Sequence, residues 1–190
     1  MLNYALTFIT GLIIGSFFNV VIYRLPRGES IVTPPSHCPS CNTRLKAMDL
    51  IPLLSYIIYR GKCRYCGANI SWQYPAVELL TALLYIYTIF KFGIGIEGFI
   101  YLFLISYLII ISFIDLNEKI IPNILSYSGI ITGLILSIIF NHISFVSSFL
   151  GLIIPSGILL IIALIFKGGM GIGDVKLVGM LGTFIGAKYT

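Results

Sequence analysis

Residues 120–166 read IIPNILSYSGIITGLILSIIFNHISFVSSFLGLIIPSGILLIIALIF, without one Asp, Glu, Lys or Arg. A run of this length has no place on a water-exposed surface, and it is too long for a single crossing of a hydrocarbon layer about 30 Å thick. Asn141-His142, near its middle, divides it into two spans, 120–140 and 143–166. Outward from this stretch the pattern repeats. Residues 2–23 are uncharged, 98–114 are uncharged but short, and 76–92 carry Glu78 and Lys91 near their ends. A sixth apolar segment begins at Leu177 and is too short to cross by the end of the chain at Thr190. With a mean hydropathy of +1.02 and 10% charged residues, an ordinary soluble domain is excluded, and the expected class is an all-α, polytopic membrane helix bundle. The first span lacks a preceding basic segment and reads as a retained anchor rather than a cleaved signal.

Orientation follows from the basic residues. The loop 24–74 holds Arg24, Arg27, Arg44, Lys46, Arg60, Lys62 and Arg64 against Glu29 and Asp49. If it is cytoplasmic, Lys119, Lys167 and Lys176 also fall inside, and only Lys91 and Lys188 outside. The N-terminus is then expected outside. The net charge of +5 is assigned to this topology and to anionic lipid headgroups, with no nucleic-acid partner expected.

Two acids at span ends carry the chemical reading. Asp115 closes the segment Ser112-Phe113-Ile114-Asp115, and Asp174 follows Gly168-Gly169-Met170-Gly171-Ile172-Gly173, with Lys176 close behind. Carboxylates at the mouths of membrane helices are costly and usually functional. The proposed topology opens both toward the cytoplasm, as a shared aspartic peptidase site requires. The glycines are expected to adopt positive φ and to let a substrate backbone approach. Alone, Asp115 reads first as a solvated helix end beside Glu118 and Lys119, and only with Asp174 as a catalytic group. Lys176 reads as an interfacial anchor before it reads as a catalytic group. Glu78 reads as a first-turn carboxylate favoured by the helix dipole. Gly11 and Gly15, one turn apart, read as a close helix contact, and Pro155 as a kink.

All four cysteines lie in the basic loop, as Cys38-Pro39-Ser40-Cys41 and Cys63-Arg64-Tyr65-Cys66. Two such pairs complete a tetrahedral thiolate site, and the reduced thiols of a cytosolic loop weigh against disulfides. A structural zinc is expected: four thiolates leave no open position for water, and the loop's own core is small. The fold class therefore gains a small cytoplasmic zinc-ribbon-like insertion. Residues 50–59 between the knuckles are apolar but too short to span, and are expected under the metal module or on the membrane surface.

Taken together, these residues resemble the prepilin peptidase (type IV leader peptidase) family, across nearly the whole chain. The resemblance rests on Gly15-Ser16-Phe17-Phe18-Asn19 through Arg24-Leu25-Pro26, the paired cysteines, Ile51-Pro52, Gly61-Lys62, Ser71 through Glu78, Asp115 through Pro122-Asn123, and Gly171-Ile172-Gly173-Asp174-Val175-Lys176-Leu177. It implies residues 1–23 as a first transmembrane helix, 24–75 as a zinc loop with an N-methyltransferase region, and 76–190 as a transmembrane peptidase domain. Family members usually continue through further spans after the second aspartate, so that domain is expected to be incomplete. The implied activity is removal of the basic leader of a prepilin or pseudopilin at the bacterial cytoplasmic membrane. Asp115 and Asp174 would be catalytic, with Gly171, Gly173 and Lys176 supporting them. Methylation of the new N-terminus by S-adenosylmethionine is implied next, with Gly61, Lys62 and Glu78 as its possible residues, although no nucleotide-type glycine fingerprint is present. The main competing reading is a non-enzymatic assembly scaffold whose zinc ribbon binds a cytoplasmic partner. A transporter would predict internal repeats, and none is seen.

Overall fold

A computed structural model describes residues 2–166 and 171–187. Lys167, Gly168, Gly169, Met170 and Lys188, used in the sequence reading, lie outside the described residues. Helices dominate, and among the described residues the extended pairing is confined to two isolated bridges. Among the described residues, five helices are long and apolar enough to cross a membrane. The chain forms two compact units, Met1–Lys91 and Phe92–Thr190.

The first unit holds α1 (Leu2–Arg24), the cysteine loop with the short helix α2 (Leu54–Ile58), and α3 (Gln73–Phe92). α1 and α3 meet through small residues. A Cβ on Gly11 would stand 2.6 Å from Ala82 Cα, and one on Gly15 2.8 Å from Glu78 Cα, so glycine is required at both for this approach. Asn19, buried on α1, donates to the Tyr74 carbonyl at 3.0 Å and ties the loop end of α1 to the start of α3. α3 begins at Gln73, whose N–H is capped by Ser71 Oγ at 3.2 Å. Glu78 thus lies beyond the first turn, where the dipole fades, and the sequence-based explanation for it does not hold.

The second unit comprises α4 (Ile96–Glu118), α5 (Asn123–Phe140), α6 (Phe145–Ile165) and α7 (Ile172–Ile185). The break at Asn141-His142 falls where the sequence places it: Asn141 closes α5 with φ 49°, and Ser144 caps α6 by accepting from Ser147 N–H at 3.2 Å. Two starts differ from expectation. α5 begins at Asn123 rather than Ile120, because Lys119 (φ 55°) ends α4 and Pro122 disfavours helix at the residue before it. α7 begins at Ile172 rather than Leu177, because Gly171 serves as its N-cap residue and Asp174 turns back to bond the Gly171 N–H.

At 14 residues, α7 extends about 21 Å, short of a full crossing, yet it is well embedded. Met180, Thr183 and Phe184 are fully buried. Met180 packs over Gly129 of α5, and the hydroxyl of Ser148 on α6 donates to the Thr183 carbonyl at 2.7 Å. α6 has the opposite character, exposing Ile153, Ile154, Ile158, Ile161, Leu164 and Ile165, a surface suited to lipid. Pro155 lies within α6 and cannot donate to the carbonyl of Gly151, four residues back. That carbonyl faces Gly182 of α7 so closely that any side chain there would fall onto it, so the backbones touch directly and a Cα–H can face the freed oxygen.

Gly182→Ala is accordingly expected to destabilise the protein by about 1–3 kcal/mol, the usual cost of overpacking. Gly157→Ala on the open side of α6, where a Cβ meets nothing within 4 Å, should leave a thermal melt in detergent unchanged. Equal melts for the two variants would contradict the α6/α7 packing.

Candidate active site and metal centre

The cysteine pairs form two knuckles of the same design. In the first, the Asn42 N–H donates to the Cys38 carbonyl at 2.8 Å, Asn42 takes φ 54°, and His37 bridges Arg44. In the second, the Gly67 N–H donates to the Cys63 carbonyl at 2.9 Å, Gly67 takes φ 73°, and Lys62 bridges Asn69. The four sulfur atoms lie within 4.8 Å of one another, with Cys38 Sγ 3.9 Å from Cys66 Sγ. Bonds of about 2.3 Å to a tetrahedral metal would separate sulfurs by about 3.8 Å, so the cluster fits a four-thiolate ion.

Its electrostatics agree with that fit. The Thr43 hydroxyl, then the Thr43 amide, hold the Cys41 thiol down to about 6. The Cys66 and Tyr65 amides lower Cys63. Cys66 receives the Ala68 amide, but desolvation and the three neighbouring sulfurs outweigh it and push the thiol up to about 11. Cys41 and Cys63 are eased toward the thiolate while Cys66 resists, and a bound cation would remove that resistance. Asp49 braces the second knuckle, accepting from the Lys46 N–H at 3.0 Å and the Tyr65 hydroxyl at 2.9 Å. The Lys46 amide, followed by Tyr65 and Arg64, keeps its carboxyl below the usual range despite desolvation.

Gly61 is buried, with φ 67°, against the Tyr56 ring, while Lys62 is exposed beside the second knuckle. Glu78 has a use that the sequence did not reveal. Leu54 N–H donates to the Pro52 carbonyl at 2.6 Å, and Leu53 between them has φ 59° and ψ −47°, the strained γ-turn with positive φ. The Leu53 N–H freed by this turn donates to the buried Glu78 carboxylate at 2.8 Å. Residues 50–59 are therefore fastened to α3 by a carboxylate. No local motif announces such a pairing, because its partners are 25 residues apart.

In the second unit, Asp115 occupies the last turn of α4, where its carbonyl accepts from the Lys119 N–H at 2.8 Å and its side chain is exposed. Asp174, also exposed, is in the first turn of α7. Gly171 N–H donates to Asp174 Oδ2 at 3.3 Å, and Asp174 N–H to the Gly171 carbonyl at 3.1 Å. The link between α4 and α5 lies against this turn: a Cβ on Gly173 would meet Ile121 at 3.0 Å, and Lys176 Nζ donates to Asn123 Oδ1 at 2.7 Å. The C-terminal end of α4 and the N-terminal end of α7 thereby meet one connecting segment. The expected positive φ is not found here, since Gly171 has φ −76° and Gly173 is helical. Close packing against Ile121 accounts for Gly173 instead.

Two family models cover this architecture: the bacterial peptidase A24 N-terminal domain matches residues 9–92, and the type IV leader peptidase family matches residues 102–190. A prepilin leader peptidase/N-methyltransferase of Bacillus subtilis (strain 168) is 38% identical, over 97% of this chain and 74% of the relative.

The chain belongs to the type IV leader peptidase family.

Relatives with the same printed name in Myxococcus xanthus (strain DK1622) and Neisseria gonorrhoeae are 39% and 32% identical. The matches cover 94% of this chain in each case, and 55% and 72% of those relatives. No solved structure matches. The boundary between the family models coincides with that between the two compact units.

Removing the Glu78 acceptor should release the strained turn. Glu78→Ala is expected to cost about 1.5–3 kcal/mol, the worth of a hydrogen bond to a charged group, and to speed tryptic cutting at Arg60 and Lys62. Glu78→Gln retains an acceptor and should protect both sites; similar digestion of the two variants would exclude the clamp.

Proposed function

We propose that this chain is a prepilin leader peptidase that removes the basic leader of a type IV prepilin or pseudopilin with Asp115 and Asp174, and is also an N-methyltransferase. The observation that carries the reading is the family relationship over 97% of the chain, joined to two exposed carboxylates at helix ends that meet one connecting segment. No finding favours the non-enzymatic scaffold.

One carboxylate takes a proton from water as its oxygen attacks the scissile carbonyl, while the other, protonated, donates to the carbonyl oxygen. Collapse of the tetrahedral adduct breaks the C–N bond, and the leaving amine takes up a proton. Two carboxylates acting on one peptide bond divide these roles, one serving as base and the other as acid.

The protein is a multi-pass membrane protein, and the basic residues of the cysteine loop support a cytoplasmic loop and an external N-terminus in a bacterial inner membrane. A prepilin's apolar helix would stay in the bilayer and its basic leader in the cytoplasm, placing the cut near the helix ends that carry Asp115 and Asp174. The loop is itself basic, so exposed acids, Asp115, Asp174 and Glu118 among them, attract the leader instead.

Zinc is the metal best suited to Cys38, Cys41, Cys63 and Cys66, as a closed, structural four-thiolate site. S-adenosylmethionine supplies the methyl group in the second activity. The apolar groove lined by Tyr4, Leu83, Ile86, Tyr87 and Phe90 does not fit this donor: it offers no carboxylate for the ribose or amino group, and Tyr4 and Phe90 lie at the ends of α1 and α3 remote from the loop. Gly61, Lys62 and Glu78 serve that activity through the loop they shape.

Asp115→Asn and Asp174→Asn should each reduce prepilin cleavage to the level of membranes lacking the protein while leaving its melt intact; retained cleavage in either would sink the two-aspartate mechanism. Replacing Cys63 and Cys66 with serine should remove one zinc per chain, measured by metal analysis, and weaken methylation more than cleavage. Absence of zinc from wild-type protein would reject the metal assignment.

A further inference from the structure

The first turn of α7 fixes more than the position of Asp174. Lys176 follows Asp174 by two residues, about 200° around the helix at 100° per residue, and residues so spaced do not face each other. The Lys176 ammonium instead stands 2.7 Å from Asn123 Oδ1 and 5.0 Å from the centre of the Tyr127 ring. Asn123 and Tyr127 are four residues apart at the start of α5, hence on one face, and together they cradle the charge.

The contacts on either side lie on the same stripe of α7. Gly173, three residues before Lys176, packs on Ile121, and Met180, four residues after it, packs on Gly129. Residues 173, 176 and 180 therefore face the beginning of α5 and the link before it. Asp174 is turned about 100° from Gly173, to the side of that contact. The rotation of α7 about its own axis determines where the Asp174 carboxylate points, and the strap from Lys176 to Asn123 holds that rotation at the catalytic end. Asn123 is covalently close to the link that leaves Asp115, so the same bond ties the two aspartates' supports together.

We propose that Asn123 and Lys176 are positioning residues of the peptidase, a strap that sets the azimuth of Asp174 relative to the segment leading from Asp115, with Tyr127 backing the ammonium. This rests on the two-aspartate reading for its catalytic consequence, but the strap itself is a property of the helices. Lys176 then acts through Asp174, not on the substrate.

The test uses full-length protein in detergent, a prepilin substrate, and the variants Asn123→Leu, Lys176→Met and their combination. A misplacement near 1 Å costs about 100-fold in rate, so each single variant should lose about that much kcat with KM little changed. The double variant should be no worse than either, because both remove one strap. Asn123→Asp, which keeps an acceptor for the ammonium, should restore most of kcat. Amide hydrogen exchange over residues 172–177 supplies a readout independent of cleavage: both single variants and the double should accelerate it alike.

Losses that multiply in the double variant, or Lys176→Met inactive beside a normal Asn123→Leu, would overturn the proposal and place Lys176 on the substrate. Unchanged exchange would overturn it whatever the cleavage assay returns. If Asp115→Asn or Asp174→Asn still cleaves, the two-aspartate reading falls while the exchange experiment continues to report on the strap.

Discussion

Backbone-to-backbone contact between α6 and α7 is the constraint on which the peptidase unit depends. The neighbours of α7 place it through close contacts along its length. Gly151 and Gly182 bring the two helices into direct contact, and this approach lets Ser148 reach the Thr183 carbonyl. Met180 and Phe184 are buried by the same packing. Pro155 contributes from a distance by freeing the Gly151 carbonyl to face its neighbour. The middle and far end of α7 are set in this way, and its first turn is held by Ile121 and Asn123.

The cysteine loop solves a different problem. It has little apolar interior of its own, and its two knuckles gather four sulfurs within 4.8 Å of one another. Two contacts brace it: Asp49 holds Tyr65 and Arg64, and Glu78 clamps Leu53. A buried carboxylate in a membrane-spanning helix is expensive unless it is paired. Here a backbone N–H displaced by a strained turn supplies the pairing, so each feature answers the other's cost.

Features written as local pattern were legible in the sequence. The uncharged run 120–166, the break at Asn141-His142, the paired cysteines and the small residues at Gly11 and Gly15 depend on composition and spacing, and the helices follow them. Boundaries shifted where side chain and backbone interact across a few residues: Asp174 reaching back to Gly171 starts α7 early, and Pro122 delays α5. The first-turn reading of Glu78 failed because α3 begins at Gln73, and its partner Leu53 was hidden in a loop with no periodicity. Asn123 was visible as part of a motif but had no physical role until Lys176 was found above it. Contacts between segments distant in sequence were invisible because the residues that make them, an Asn, a Lys or a Leu N–H, are ordinary in type.

The order of the chain gives the twin knuckles a further consequence. Both cysteine pairs, ending at Cys66, precede Gln73, where α3 begins. During synthesis all four cysteines therefore emerge before the second long apolar helix, so the proposed metal would find its full donor set while only α1 is available to the bilayer. Glu78 arrives later, on α3, to close on Leu53. The chain order thus presents the four cysteines first and the Glu78 acceptor second.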